Sequence, residues 1–229
     1  MQNHLPKRKS EHRLPKRLQV VADLVPACDC LQDVGTDHAR LPIALILAER
    51  CQRALAIDIN TGPLQAATRN ISAAGLSERI RIVQADGLQN TRLGLDDVIV
   101  IAGLGGLEMI RILQDQPRRC KAVVLQPMKS APELRTWLVG NGYEIEKEAL
   151  ACEQRRCYPV ILCCYTGVRM SLSPLEKYAG PRLIESRPQG LTGYLTWLRQ
   201  RLKKQVRGTP ELVCVIRDID ELLMKLRTD

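Results

Sequence analysis

A tight acidic turn between a predicted strand and a predicted helix constrains the fold of this chain more than any other stretch. Residues 28–34 are short and partly apolar, which predicts a strand, and Gly35 follows directly, where a chain leaving a parallel strand must turn sharply. Thr36 or Asp37 is placed to cap a helix predicted over residues 39–50. Ligands of open α/β sheets bind at the carboxyl ends of such strands, so this turn marks a candidate site.

The chemistry of the turn narrows the class of ligand. A dinucleotide-binding loop would carry several glycines and a neutral approach for a pyrophosphate. This turn has one glycine and two carboxylates, those of Asp33 and Asp37. The carboxylates repel phosphate but suit a cationic ligand such as S-adenosylmethionine, which carries a sulfonium and an amino group. A nicotinamide-dependent oxidoreductase, the alternative enzyme class, is therefore disfavoured.

Strand-like and helix-like segments alternate along most of the chain. Apolar runs or alternating apolar residues predict further strands at residues 54–59, 80–84, 97–102, 122–125, 143–149 and 158–165. Helical patterns are found at residues 13–24, 63–74, 106–114 and 133–141. This order predicts an α/β fold with a doubly wound, mostly parallel sheet, whose last two strands form a hairpin at its edge.

The sequence pattern changes after residue 167. Residues 171–189 contain three prolines and predict a connector with one helical turn. Two amphipathic helices are predicted at 194–207 and 210–226, with Thr209 as the N-cap of the second and Pro210 at its first position. We therefore divide the chain into a flexible basic tail (1–12), a main domain (13–167), and a connector with a C-terminal helical hairpin (168–229).

Composition restricts the classes of partner and location. A net charge of +9 is compatible with a polyanionic partner such as nucleic acid. No apolar run reaches the ~20 residues of a membrane span, and the N-terminus lacks the apolar core of a signal peptide. Nine cysteines, an odd number without paired zinc-binding spacing, predict reduced thiols, no metal site and a cytoplasmic location. A monomer is compatible with these features.

Acidic residues and glycines stand where the predicted strands end. Asp58 follows Asp33 by 25 positions, close to the interval at which an acid reaches a ribose hydroxyl pair. Asp86 ends the next strand, where it can accept a hydrogen bond from an adenine amino group. Because the carboxyl ends of parallel strands share one edge, these acids and a glycine-rich turn at 103–106 are expected to line one crevice. Each acid taken alone is equally compatible with a turn or capping role.

Candidate RNA contacts are spread over three parts of the sequence. Tyr158 begins a strand and is placed to stack on a flipped base, although a rim or core tyrosine is the alternative. A solvated helix face is the alternative for the cations. Aromatic residues make up only 3% of the chain, so an RNA-stacking platform is not expected. The candidate phosphate contacts are Lys16, Arg17, Arg199, Arg201, Lys203 and Lys204.

Several short motifs between residues 14 and 164 stand out. They are Lys16-Arg17-Leu18, Asp33-Val-Gly-Thr-Asp37-His38-Ala-Arg-Leu-Pro42, Asp58 with Gly62-Pro63, Asp86-Gly87-Leu88, Ala102-Gly-Leu-Gly-Gly106, Leu125-Gln-Pro127 and Cys157-Tyr158. Together they resemble the TrmK family of bacterial tRNA (adenine-22-N1)-methyltransferases. Met128 and Arg40 stand where that family commonly has Asn and Tyr.

The resemblance implies S-adenosylmethionine as methyl donor, a seven-stranded Rossmann-like sheet, a helical hairpin that grips tRNA, and methyl transfer to N1 of a D-loop adenine. Asp37 would stabilise the cationic product, and Gly106 would leave room for the target base. A methyltransferase with another RNA or a small-molecule substrate, and a non-catalytic RNA-binding protein, remain the alternatives. The implied cofactor contacts are Asp33, Gly35, Asp37, His38, Asp58, Ile59, Asp86, Gly87, Ala102 and Gly103. The implied catalytic positions are Asp37, Gly105, Gly106, Gln126 and Pro127.

Overall fold

The computed structural model describes residues 13–114, 119–153, 156–206 and 211–228, and its centre is a single seven-stranded sheet. The strands are β1 (Cys28–Val34), β2 (Cys51–Asp58), β3 (Ile80–Gln84), β4 (Val98–Ala102), β5 (Ala122–Gln126), β6 (Tyr143–Glu153) and β7 (Arg156–Tyr165). Their order in space is β3-β2-β1-β4-β5-β7-β6. Strands β1 to β5 are parallel, and β7 is antiparallel to both β5 and β6. The predicted Rossmann-like sheet with an edge hairpin is confirmed.

The described helices cover both faces of the sheet and form the C-terminal part of the chain. None of them is long and apolar enough to cross a membrane. They are α1 (Lys16–Leu24), α2 (Arg40–Leu47), α3 (Thr61–Ala73), α4 (Gly106–Gln114), α5 (Ala131–Gly140), α6 (Pro174–Ala179), α7 (Pro181–Ser186), α8 (Leu191–Gln205) and α9 (Leu212–Thr228).

Strand β4 shows how the core is divided. It is apolar at every position, and its side chains alternate between the two faces, as expected for a parallel strand buried on both sides. Val98 and Val100 join an apolar layer with α1, α2 and α3, whereas Ile99 and Ile101 join a second layer with α4 and α5. The carboxyl ends of the strands are left uncovered by these layers, at the edge where ligands of such sheets bind.

The C-terminal part is more helical than the sequence predicted. The expected connector contains two short helices, α6 and α7. Ser173 and Glu176 form a reciprocal capping box that stabilises the start of α6. Helices α8 and α9 bury Leu195, Leu198 and Ile219 in an apolar cluster that they share with Leu150 of β6 and Leu183 of α7. The predicted cap at Thr209 and Pro210 lies outside the described residues, as does the predicted tail at residues 1–12.

The predicted cap of α2 is wrong. The helix begins at Arg40, and its N-cap is Ala39 in a left-handed conformation with φ of 53° and no side-chain capping bond. The turn continues past Thr36 because the backbone amides of Gly35 and Thr36 both donate to Ile57 O, at 2.8 and 2.9 Å. These bonds hold the turn over the end of β2, and Thr36 is buried there instead of reaching the helix.

The prediction that all cysteines are reduced thiols is also wrong. Cys152 and Cys157 form a disulfide, and the other seven cysteines are free. The hairpin strands β6 and β7 extend further toward their connection than the sequence predicted, so these two residues lie directly opposite each other with Cα atoms 4.0 Å apart. Spacing along the chain does not reveal a cross-strand pair of this kind.

Candidate active site

The site is centred where the strand order of the sheet reverses. The chain proceeds outward from β1 to β2 and β3, then returns to place β4 on the other side of β1. Ligands of open α/β sheets bind at such a switch point. Gly35 ends β1 with φ of +77°, and Gly103 ends β4 with φ of +84°. Both are left-handed conformations that favour glycine, so the chain can turn sharply where each of these strands ends.

Asp33 lies within β1, between Ala56 of β2 and Val100 of β4, and it is buried. Burial raises the pKa of its carboxyl, the neighbouring Thr36 lowers it, and the charge of Asp58 raises it, so that the pKa is about 6. Asp33 therefore lies inside the sheet, two residues before the turn at Gly35. Its carboxylate contributes negative charge to a site that a cationic ligand would neutralise.

We expect Asp33→Asn to increase the free energy of unfolding near neutral pH. The folded-state pKa of about 6 lies above the ordinary value of 3.8, so the folded protein binds more protons between these values and loses stability as pH rises through them. A difference of about two pKa units corresponds to about 3 kcal/mol above pH 6. Urea unfolding across this pH range should show the decline in wild type and a flatter profile in the variant. Equal slopes for both proteins would contradict the assignment.

Asp58 ends β2 with one carboxylate oxygen engaged and one available. Its Oδ1 accepts hydrogen bonds from the backbone amide of Asn60 at 2.8 Å and from Asn60 Nδ2 at 3.3 Å. Among the described residues, no donor contacts its Oδ2. Ile59, the next residue, exposes its apolar side chain beside this carboxylate. A carboxylate oxygen next to an apolar side chain suits a ribose and the base attached to it.

Asp86 follows β3 and is already paired. Arg111 of α4 donates to both of its carboxylate oxygens, at 3.1 and 2.5 Å, and also to Glu108. An adenine amino group at Asp86 would share the carboxylate with this guanidinium, and the predicted cofactor contact stays a prediction. For Gly87 the structure shows a packing role, since a Cβ atom there would lie 3.1 Å from Ile112.

Asp37 and His38 lie on the outer side of the β1 turn. The Asp37 side chain is 80% exposed, and its Oδ1 lies 3.3 Å from His38 Nε2. Asn70 of α3 donates to His38 O at 3.0 Å, which fixes the turn relative to the neighbouring helix. Asp37 therefore presents its carboxylate to the space beyond the strand ends, where a ligand or substrate can reach it.

The turn after β4 and the turn after β5 run side by side. Met128 N donates to Leu104 O at 2.8 Å, and Gly106 N donates to Lys129 O at 2.8 Å. Gly103 N donates to Gln126 O at 3.1 Å. The amides of Gly103 and Gly106 are thus occupied by protein carbonyls.

A guanidinium from α1 reaches into the site. Arg17 Nη1 donates to Gln126 Oε1 at 2.6 Å and lies 3.9 Å from Met128 Sδ. It also lies 3.5 Å from the position that a Cβ atom of Gly103 would take. Gln126 is fully buried, and its Nε2 donates to the carbonyl of Pro127 at 3.2 Å. Gln126 therefore anchors Arg17 at the strand edge, beside the turn after β4. The predicted phosphate contact of Arg17 remains a prediction.

The predicted RNA contacts of the helical hairpin differ in their surroundings. Arg199 is paired with Asp220 of α9 at 2.5 Å, so its charge is already balanced within the hairpin. Arg201 lies over the ring of Trp197, with its Cζ 5.5 Å from the ring centroid. Lys16, Lys203 and Lys204 are exposed, and Tyr158 is half-buried at the start of β7. Their contact with RNA remains a prediction.

The residues at the strand edge fit S-adenosylmethionine. The carboxylates of Asp33, Asp37 and Asp58 supply negative charge for the cationic ligand, and Asp58 Oδ2 is available to a ribose. Within the described residues, no group of histidine, cysteine and acidic side chains is arranged to hold a metal ion.

Comparison with known proteins agrees with this geometry. The family model described as "Methyltransferase domain" matches residues 14–161. The tRNA (adenine(22)-N(1))-methyltransferase of Bacillus subtilis is 33% identical over 188 residues, which cover 78% of each chain. The chain belongs to the TrmK family.

Solved structures of TrmK-like proteins have the same fold. A candidate tRNA (m1A22) methyltransferase of Streptococcus pneumoniae, in complex with S-adenosyl-L-methionine, is 31% identical with a TM-score of 0.83 and covers 92% of this chain and 100% of its own. TrmK of M. capricolum, in complex with S-adenosyl-homocysteine, is 26% identical with a TM-score of 0.76 and covers 93% of this chain and 98% of its own.

Proposed function

We propose that this protein transfers a methyl group from S-adenosylmethionine to N1 of adenine 22 in tRNA, as the name of its Bacillus subtilis relative describes for that enzyme. The observation that carries the proposal is the accessible pair of carboxylates, Asp37 and Asp58, at the open end of a sheet shared with relatives solved with S-adenosylmethionine and its product. We also infer a cytoplasmic location, because tRNA is the substrate.

When bound, S-adenosylmethionine supplies a methyl group on a positively charged sulfur. Asp58 would bind the ribose through Oδ2, and the exposed Ile59 would pack against the base of the cofactor. Asp37 places negative charge beyond the end of β1, where it offsets the positive charge that develops on the methylated adenine.

The reaction depends on the positioning of the two reactants more than on proton transfer by the protein. Adenine N1 carries a lone pair, so no side chain has to remove a proton before attack. Holding the two reacting groups in line can contribute about 7–11 kcal/mol. The target adenine must first leave its base stack. Arg17 and Pro127, which lie at the strand edge, would then contact it. We assign Gln126 to holding Arg17 in place, and Gly105 with Gly106 to shaping the neighbouring turn.

The function is tested by methylation of unmodified tRNA transcripts. Methylation at N1 blocks Watson–Crick pairing, so reverse transcriptase should stop at adenine 22 after incubation with enzyme and S-adenosylmethionine. A transcript with guanine at that position is the matched control and should give no stop. Methyl incorporation without any stop would indicate a different atom, and tight cofactor binding without incorporation into any tRNA would favour a non-catalytic or different-substrate protein.

Asp58→Ala should weaken S-adenosylmethionine binding by about 1.5–3 kcal/mol, the scale of hydrogen bonds to a charged group. Isothermal titration calorimetry measures the change. Asp29→Ala is the matched control, because Asp29 is an exposed carboxylate at the opposite end of β1, where it pairs with Arg53. Equal affinity in the Asp58 variant, with the fold intact, would remove Asp58 from the cofactor site.

A further inference from the structure

The few aromatic residues of the chain are concentrated in two places. The sequence contains two tryptophans, five tyrosines and no phenylalanine. Trp137, Tyr143 and Tyr165 pack against one another, with ring centroids 5.8 and 5.4 Å apart. The other four line one cavity: Tyr158, Tyr178, Tyr194 and Trp197. The low aromatic content had argued against a stacking platform, yet the fold gathers more than half of the rings around a single space.

This cavity has a volume of about 460 Å³, which lies within the range of about 300–1,000 Å³ for small-ligand sites. One end is formed by Pro127 and Met128, directly after β5, so the cavity is adjacent to the candidate active site. The other end is formed by α8, where Leu198 and Leu202 provide an apolar floor. None of the cofactor-site carboxylates lines it, which separates it from the place of the methyl donor.

The charged groups around the cavity favour an anionic ligand. Three cationic side chains, those of Lys129, Arg156 and Arg201, line it together with one carboxylate, that of Glu133. Arg201 lies 5.5 Å from the centroid of the Trp197 ring. Trp197 is half-buried, and its ring lies 6.2 Å from that of Tyr194, at an angle of 29°. Aromatic rings within a cationic rim are the features by which proteins hold unpaired bases and their phosphates.

We propose that the cavity between the β5–α5 connection and α8 holds a second, unpaired nucleobase of the RNA substrate, adjacent to the base that is methylated. Its ring lies against Trp197 and Arg201, and its phosphate lies among Lys129 and Arg156. This assignment rests on the proposed tRNA substrate and adds to it a positioning contact made by the helical hairpin. Trp197 positions the RNA and takes no part in methyl transfer or in cofactor binding.

Fluorescence gives a direct test of stacking, because the chain has only Trp137 and Trp197. In a Trp137→Phe variant, Trp197 is the one remaining tryptophan, and unmodified tRNA transcript should quench its emission when S-adenosylhomocysteine is present to prevent turnover. In the matched Trp197→Phe variant, the remaining Trp137 packs against Tyr143 away from the cavity and should not respond. Binding without quenching in the first variant, measured in parallel by filter retention, would overturn the proposal.

Kinetics provide the second test. Trp197→Leu should raise the KM for tRNA by roughly 5- to 150-fold, the range found when a base loses its aromatic partner, while kcat and S-adenosylmethionine affinity stay unchanged. Trp197→Phe keeps an aromatic ring, so its KM for tRNA should stay close to the wild-type value. An unchanged KM, or a loss of kcat or cofactor affinity instead, would assign Trp197 a structural role and overturn the cavity proposal alone. If wild type methylates no tRNA, the proposed function fails and this inference fails with it. If Trp197→Leu does not fold, the fluorescence result decides.

Discussion

Replacing Arg135 by Met is expected to lower the free energy of unfolding by about 3–5 kcal/mol, the cost of leaving a buried charge without its partner. Arg135 of α5 and Glu148 of β6 form an ion pair of 2.8 Å in which both side chains are completely buried. The lost guanidinium would leave the Glu148 carboxylate in the interior with a single remaining donor, the backbone amide of Arg182. Urea denaturation measures the change.

The expected loss is large because Arg135 joins separate parts of the fold. Its Nη1 also donates to the carbonyls of Lys177 and Tyr178 at the end of α6, at 3.2 and 3.1 Å. The start of α7 closes over the pair so tightly that a Cβ atom on Gly180 would lie 2.7 Å from both Arg135 and Glu148. Together with the apolar cluster that includes Leu150 of β6, this pair therefore helps to hold the C-terminal helices against the sheet, including Tyr178 of the aromatic cavity.

Two further variants make the Arg135 prediction specific. Arg53→Met breaks an ion pair of the same 2.8 Å length whose side chains are 64% and 49% exposed, and it should cost less than about 1 kcal/mol. Adding Glu148→Gln to Arg135→Met removes the unpaired charge and keeps an acceptor for Arg182, so part of the stability should return. A loss below about 1 kcal/mol in Arg135→Met, or no recovery in the double variant, would contradict the assignment.

The sequence predicted the architecture because its local signals agree with each other. The strand predicted at residues 97–102 is apolar from Val98 onward, which indicates burial on both faces, and β4 (Val98–Ala102) is such a strand. Contacts between distant positions have no comparable local signal. Arg17 and Gln126 are 109 positions apart, and neither the charge of one nor the amide of the other shows that they meet. The same holds for Arg135, which sequence analysis did not single out.

For the site residues, too, the sequence predicted the positions but not the neighbouring side chains. Three acids were predicted at three strand ends, and the structure places all of them at the same edge of the sheet. Their surroundings differ, however: Asp33 is buried, Asp58 has an accessible oxygen, and Asp86 is paired with Arg111. The strand pattern of the sequence predicts that each acid lies at the end of a strand. The side chains that neighbouring elements bring to it, such as Arg111 from α4, determine whether its charge is available to a ligand.

Replacing Gly106 by Val is expected to destabilise the fold by about 3 kcal/mol or more, at or above the upper end of the usual cost of overpacking. A sequence-based view of this glycine predicts that Val would block the target base and leave cofactor binding intact. The structure predicts a wider effect, because a Cβ atom at this position would overlap the carbonyl oxygen of Ser130 and lie 3.1 Å from Lys129 O. Both are backbone atoms, which cannot turn aside as a flexible side chain can.

The clash would separate the two turns that form one side of the active site. Gly106 N donates to Lys129 O, and this bond aligns the start of α4 with the segment after β5. Gly106→Ala introduces the same Cβ atom without the branches and should already lower stability in urea denaturation. Gly193→Ala is the matched control: nothing lies within 4 Å of that Cβ position in α8, so the variant should gain about 0.5–1 kcal/mol of helix stability. If Gly106→Ala is as stable as wild type, binds S-adenosylmethionine normally and fails to methylate, the glycine serves the target base after all, and close packing against Ser130 is not what requires it.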